Sequence, residues 1–346
     1  MTAAGIHCAA AGKTPMISGF ATAEGKLRPL TDLPAEAASA VWIDIVRPTP
    51  EEEAALEKAL RLAIPTREEM QEIEVSSRLY VEDGATFMTA MIISHTDADD
   101  AVISPVTFAL AGGRLLTIRY EEPRVFPSFA ARCQKSVLGG ATAETILVGL
   151  LEAIVDRLAD VLERVTIDTD RLSREIFREA SAKPTSSRDY QRVIVELGRK
   201  GDLNSKIRES LVTLERLFGF TILHADEGAG APENGKKADK EVKARLKTLS
   251  RDAHSLTEHV TYLTQKITFL LEATLGMINI EQNAIIKTFS VAAVAFLPPT
   301  LIASIYGMNF DFMPELDWPW GYPFAIALML LSAVLPLLYF KRKGWL

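Results

Sequence analysis

The residues with most chemistry to offer lie on a short polar turn, Tyr306-Gly307-Met308-Asn309-Phe310. The turn joins two apolar segments, about Thr288 to Tyr306 and about Tyr322 to Phe340. Each is close to the roughly 20 residues that a helix needs to cross a bilayer. On the first segment, Asn283, Ile286, Phe289 or Ser290, Ala293, Leu297, Thr300 and Ser304 recur near a 3.6-residue period. That face is polar at both ends and apolar between, a pattern suited to an ion path gated by dewetting. A plain anchor helix with incidental Ser and Thr accounts for the periodicity equally well. Two spans cannot enclose a pore by themselves, so conduction requires several copies of the chain.

Other chemistries find little to work with. The five histidines are scattered, and His254 and His259 are spaced too far apart to share a helix face as a zinc pair would. No Ser or Cys nucleophile sits beside a recognisable base, so the chain does not read as an enzyme. Gly112-Gly113 reads as a turn rather than a phosphate loop. A net charge of −7 argues against a nucleic-acid partner. Cys8 and Cys133 are distant from each other and give no disulfide or zinc framework, which fits a reducing compartment. With 48% hydrophobic and 24% charged residues the whole is ordinary for a globular protein, so the membrane signal is local to the two apolar segments.

The elements that must hold this hairpin follow in chain order. Residues 1–140 predict an α+β cytosolic domain: a strand at Val41–Val46, helix starts with capping boxes at Thr49/Glu52 and Thr66/Glu69, a β-rich run at Phe87–Ser94, and a hairpin around Gly112-Gly113. Residues 141–223 predict an antiparallel pair of acidic helices. Residues 224–239 read as a linker, and 240–306 as a stalk helix continuous with the first span (about 288–306). The connecting loop is 307–321, the second span 322–340 and the basic tail 341–346. Along the stalk, Val242, Leu246, Leu249, Ala253, Leu256, Val260, Leu263, Ile267, Leu270, Thr274 and Met277 form a seam of about 3.5 residues, which predicts helix-on-helix packing and supplies a reason to expect an oligomer. Lys287 before the first span and Lys341-Arg342-Lys343 after the second contrast with Asp311, Glu315 and Asp317 in the loop. The positive-inside rule then predicts both termini in the cytoplasm. No basic flank precedes an apolar core at the N-terminus, so no secretory signal is read.

The turn, followed by Met313-Pro314-Glu315-Leu316 and Trp318-Pro319-Trp320-Gly321-Tyr322-Pro323, resembles the CorA family of magnesium channels. The tail Tyr339-Phe340-Lys341-Arg342-Lys343-Gly344-Trp345-Leu346 is similar to the family's ending. Ile278–Asn283 and Phe296–Leu301 are similar to its enterobacterial-type branch, and Val41-Trp42-Ile43-Asp44 is compatible with it. Met308 favours the magnesium branch over the related ZntB-type zinc transporters. The resemblance implies a funnel-shaped homopentamer in a bacterial inner membrane, taking up Mg²⁺ and also Co²⁺ and Ni²⁺, with no organic cofactor. It implies that Gly307, Met308 and Asn309 form an outer selectivity ring. Asn283, Ile286, Phe289, Ala293, Leu297 and Thr300 would line the pore, with Ile286 and Phe289 at its gate; Phe289 stands where an aliphatic residue is usual. It also implies inhibition by intracellular Mg²⁺ bound between subunits, for which Asp97, Asp99, Asp100, Asp252 and Glu272 are candidates. The alternatives are a Zn²⁺ or other divalent-metal transporter on the same fold, and a membrane-anchored scaffold.

Overall fold

The computed structural model describes residues 17–31, 36, 39–96, 101–136, 142–179, 187–224, 233–309, 313–314 and 318–345. Among the described residues, seven strands form one sheet: β1 Ile17–Ala23, β2 Lys26–Pro29, β3 Ala40–Val46, β4 Leu79–Glu82, β5 Ala85–Ser94, β6 Val102–Ala111 and β7 Arg114–Arg119. Their order is β2-β1-β3-β7-β6-β5-β4, and every pairing is antiparallel except β3 with β7. The expected hairpin around Gly112-Gly113 joins β6 to β7. Both glycines have positive φ (54° and 74°), the backbone that a two-residue primed turn requires. Two further hairpins, at Glu24-Gly25 and Asp83-Gly84, use the same left-handed pair of residues and join β1 to β2 and β4 to β5.

The sheet is covered on both sides, which is why β3 is buried at every position. Trp42 and Leu115 point to one face, with Phe20, Met88, Phe108, Phe126 and Phe129. Ile43 and Leu116 point to the other, with Leu56, Ile64 and Met70. That second face is closed by α1 (Pro50–Leu60) and α2 (Arg67–Gln71), whose capping boxes at Thr49/Glu52 and Thr66/Glu69 are both complete. A short turn of helix, α3 (Val75–Arg78), leads into β4. The first face carries α4 (Val125–Lys135) and then α5 (Ala143–Glu179), α6 (Ser187–His224) and α7 (Glu233–Tyr306). The last helix, α8, is Gly321–Arg342.

Across the sheet centre, β3 and β7 are tied by a buried polar network. Arg119 donates from Nε and Nη2 to the two carboxylate oxygens of Asp44 (3.1 and 2.8 Å). Thr117 Oγ1 donates to Asp44 Oδ1 (2.7 Å) and accepts from Trp42 Nε1 (3.1 Å). Arg119 also lies over the Phe126 ring at 4.6 Å.

Helix α7 starts at Glu233, inside the stretch expected to be linker, because Lys236-Lys237-Ala238-Asp239-Lys240-Glu241 is a run dominated by good helix formers. Its seam does not wait for a second chain. Val242, Leu246, Leu249, Ala253, Val260 and Leu263 are buried in one core with α5 and α6 residues such as Leu158, Val161, Leu211 and Leu214. Polar links reinforce that packing. Arg245 makes a two-pronged bond to Glu152 on α5 (2.8 and 2.6 Å), and Asn204 on α6 donates to Val260 O (2.9 Å) and Thr264 Oγ1 (2.8 Å). The seam is therefore satisfied within one chain and by itself requires no second copy. Residues Met1–Leu172 with Val195–Thr268 form one compact unit, and Ser173–Ile194 with Phe269–Leu346 form another.

Candidate ion pathway and its outer turn

Among the described residues, two helices are long and apolar enough to cross a membrane, the C-terminal part of α7 and α8. Pro298 and Pro299 lie inside α7 without ending it. Each lacks the N–H that would bond the carbonyl four residues back, which frees those of Val294 and Ala295. Within the hairpin, Val291 and Ala295 on α7 and Ala325 on α8 are buried. At about 100° per residue, the positions singled out in the sequence fall roughly on the opposite side of α7. Asn283, Ala293 and Thr300 are exposed, and Ile286, Phe289 and Leu297 are 60%, 72% and 65% exposed. The chain thus covers one side of α7 and leaves bare the face that is polar at both ends and apolar in its middle.

That face runs up to the Gly307 turn. Gly307 N–H donates to the carbonyls of Ala303 (3.0 Å) and Ser304 (3.2 Å), and Met308 N–H to Ile305 (3.3 Å). This tightening consumes the last carbonyls of the helix. A methyl group at Gly307 would lie 3.2 Å from the Ala303 oxygen, so glycine permits the close turn. Met308 and Asn309 follow, both exposed just beyond the helix end. Asp311, Glu315 and Asp317 lie outside the described residues.

Two of the five regulatory candidates fall among the described residues. Asp97, Asp99 and Asp100 lie outside the described residues, while Asp252 and Glu272 are exposed on α7. Among the described residues, no group of three or more His, Cys, Asp and Glu side chains is placed to hold a metal. What the fold does bring together is an acidic strip that sequence spacing alone could not complete, because Asp252 on α7 joins Glu152, Asp156 and Asp160 on α5. Partial loss of water, then Glu152, then Asp160 and Asp252 raise the Asp156 carboxyl above its ordinary value of 3.8, while Arg132 opposes them. The folded state therefore binds that proton more readily than the unfolded chain, and stability falls as pH rises from about 3.8 through the raised value. Asp156→Asn should stabilise the protein at pH 7 by about 0.5 kcal/mol, a figure kept small for solvent screening. Thermal unfolding of the two forms should converge toward pH 4, and a constant difference across pH would disprove the crowding.

The chain is similar to known proteins over most of its length. "Magnesium transport protein CorA" of Escherichia coli (strain K12) is 37% identical over 308 residues, covering 89% of this chain and 92% of the relative. The protein of the same description from Salmonella typhimurium (strain LT2) is 36% identical over 307 residues, with 89% and 92% covered. The solved structure titled "The complete structure of CorA magnesium transporter from Methanocaldococcus jannaschii" superposes with a TM-score of 0.72 at 18% identity, covering 97% of this chain and all of that one. That likeness shows the fold: a soluble α/β part, a long helix and two C-terminal apolar helices. Residues 37–342 match the family model described as "CorA-like Mg2+ transporter protein". With this span and these identities, the chain belongs to the CorA-like Mg²⁺ transporter family.

Proposed function

We propose that the chain is one subunit of a homopentameric channel that carries Mg²⁺, and also Co²⁺ and Ni²⁺, into a bacterial cytoplasm. The single observation that carries this reading is the bare face of α7. It ends at Asn309 and lies opposite the side buried within the hairpin. In a closed ring of subunits such a face turns toward the axis, with α8 outside it.

In this reading Gly307, Met308 and Asn309 form the outer ring. Mg²⁺ takes oxygen ligands in octahedral geometry and sheds water reluctantly. A ring of neutral Asn309 amide oxygens hydrogen-bonds the hydrated ion without holding it as a carboxylate ring would. Below it, Thr300, Leu297 and Ala293 line the path, Phe289 and Ile286 form a hydrophobic gate that closes by dewetting, and Asn283 receives the ion beyond. An inside-negative potential favours entry of a divalent ion by about 4.6 kcal/mol per 100 mV, twice the single-charge value. Intracellular Mg²⁺ bound between protomers by Asp97, Asp99, Asp100, Asp252 and Glu272 would favour the closed state, and its loss would shift the population toward open. The charge bias around the spans puts both termini in the cytoplasm.

Flux into liposomes, with Mg²⁺, Co²⁺, Ni²⁺ and Zn²⁺ compared side by side, tests the proposal. The expected result is Mg²⁺ entry driven by an inside-negative potential. Zinc-selective flux would point to a different cargo on this fold, and no flux of any ion would leave only a scaffold.

A further inference from the structure

The last helix ends in a turn whose consequences lie outside the ion path. Gly344 adopts φ +70°, its N–H donates to Lys341 O (3.2 Å), and Trp345 N–H donates to Phe340 O (3.0 Å). These are the two bonds of a Schellman cap, in which glycine takes the left-handed position and an apolar residue beyond it returns to the helix. Trp345 does return, stacking on Phe340 with ring centroids 5.3 Å apart. On the other helix of the hairpin, Lys287 Nζ lies 5.8 Å from the Trp345 ring. The cap therefore sets Trp345 beside Lys287, at the end of the hairpin where Lys341, Arg342 and Lys343 finish the last helix and Lys343 Nζ lies 5.7 Å from the Tyr339 ring. Elsewhere in the protein, cations that join helices meet carboxylates, as Arg245 meets Glu152, Lys200 meets Asp168 and Lys266 meets Asp170. Among the described residues these four have no carboxylate within ion-pair distance.

Resting on the reading that α7 and α8 span a bilayer, we propose that Lys287, Lys341 and Arg342, with Trp345, form a docking surface for the phosphodiester headgroup of an anionic phospholipid. Lys287 directly precedes the first apolar segment and Lys341 directly follows the second, so both sit at the hydrocarbon edge. Like charges on two adjacent helices repel unless an anion lies between them. The tryptophan ring suits the same level, with an apolar body and a wet N–H edge. A lipid fits better than free phosphate because the patch is continuous with the apolar flanks of both helices, where acyl chains would lie. The positive-inside tendency explains the sign of these charges, but not the placement of Lys287 beside a tryptophan held by a glycine cap.

The test uses the full chain in phosphatidylcholine vesicles containing phosphatidylglycerol, with bromine carried on the chains of one lipid or the other. The contribution of Trp345 is the difference in fluorescence quenching between wild type and W345F. The expected result is local enrichment of phosphatidylglycerol by about fivefold over bulk, the factor supplied by one well-placed basic side chain at a charged surface. That preference should fall toward unity in K287Q/K341Q/R342Q. It should also fall in the unaltered protein at 1 M salt, where screening shortens to about 3 Å, so the test does not depend on the variant's folding. Equal quenching by the two brominated lipids in the wild type would overturn the proposal. Loss of the preference on adding inorganic phosphate would overturn the lipid assignment. Quenching by neither lipid would overturn the membrane reading as well.

Discussion

Asn309→Ala is expected to lower Mg²⁺ flux in liposomes by about 100-fold or more. Each hydrogen bond to a charged partner contributes about 1.5–3 kcal/mol, and a ring loses one such partner in every subunit at once. The amide is exposed at the end of α7, beyond the tight Gly307 turn, so its removal disturbs no packing. Oligomer size and thermal stability should be unchanged. Asn309→Asp separates hydrogen bonding from simple attraction. A carboxylate ring would hold the ion more tightly and slow its release, so half-saturation should move to lower Mg²⁺ while maximal flux falls. Unchanged flux in the alanine variant would remove Asn309 from the ion path, and loss of the oligomer would mean that its role is assembly.

The second large effect is on stability. Arg119→Met should cost about 3–5 kcal/mol, since it removes one partner of a buried ion pair and leaves the other charge uncompensated. Asp44 is 7% exposed and Arg119 3%, so water cannot replace the missing guanidinium. The loss extends beyond the pair, because Asp44 also orients Thr117, which accepts from Trp42 at the centre of the first core. Replacing both residues, as in Asp44→Leu with Arg119→Met, should recover much of the loss, because an apolar pair leaves nothing buried and unsatisfied. Denaturant unfolding of the soluble unit checks this. Equal losses in the single and double variants would mean that the polar network, rather than the lone charge, sets the cost.

Local features were legible in the sequence and long-range partnerships were not. The capping boxes at Thr49/Glu52 and Thr66/Glu69 involve residues three apart, so the types that form them also announce them. The Gly112-Gly113 hairpin is local in the same way. Asp44 and Arg119 are 75 residues apart, and nothing near either announces the other; Trp42-Ile43-Asp44 reads as a strand and Arg119 as its neighbour's end. β1 and β2 escaped notice because Ser18, Gly19 and Thr22 break the apolar alternation, and the Glu24-Gly25 turn is a weaker signal than a pair of glycines. The seam of α7 shows a third limit. A 3.5-residue period states that one face is covered, but not by what, and the cover proved to be α5 and α6 of the same chain. For the ion path, periodicity alone could not tell pore from anchor. The added information is which side of α7 the hairpin buries, at Val291 and Ala295.

The way in which the seam is satisfied also sets an order of events during synthesis. Leu263 is the last residue of the large core, and everything needed to bury the sheet, α5 and α6 is made before the first apolar segment begins at about Thr288. The soluble unit can therefore complete its own core while the hairpin is still being made, as N-terminal units generally do. Had the seam required a second subunit, the nascent chain would have exposed a long apolar stripe next to two membrane-seeking helices. Instead, by the time α7 and α8 need lipid, they carry the longest runs of exposed apolar side chains among the described residues. Insertion into the bilayer and, in the proposed oligomer, pairing between copies would then be late steps, taken by chains whose soluble parts are already folded.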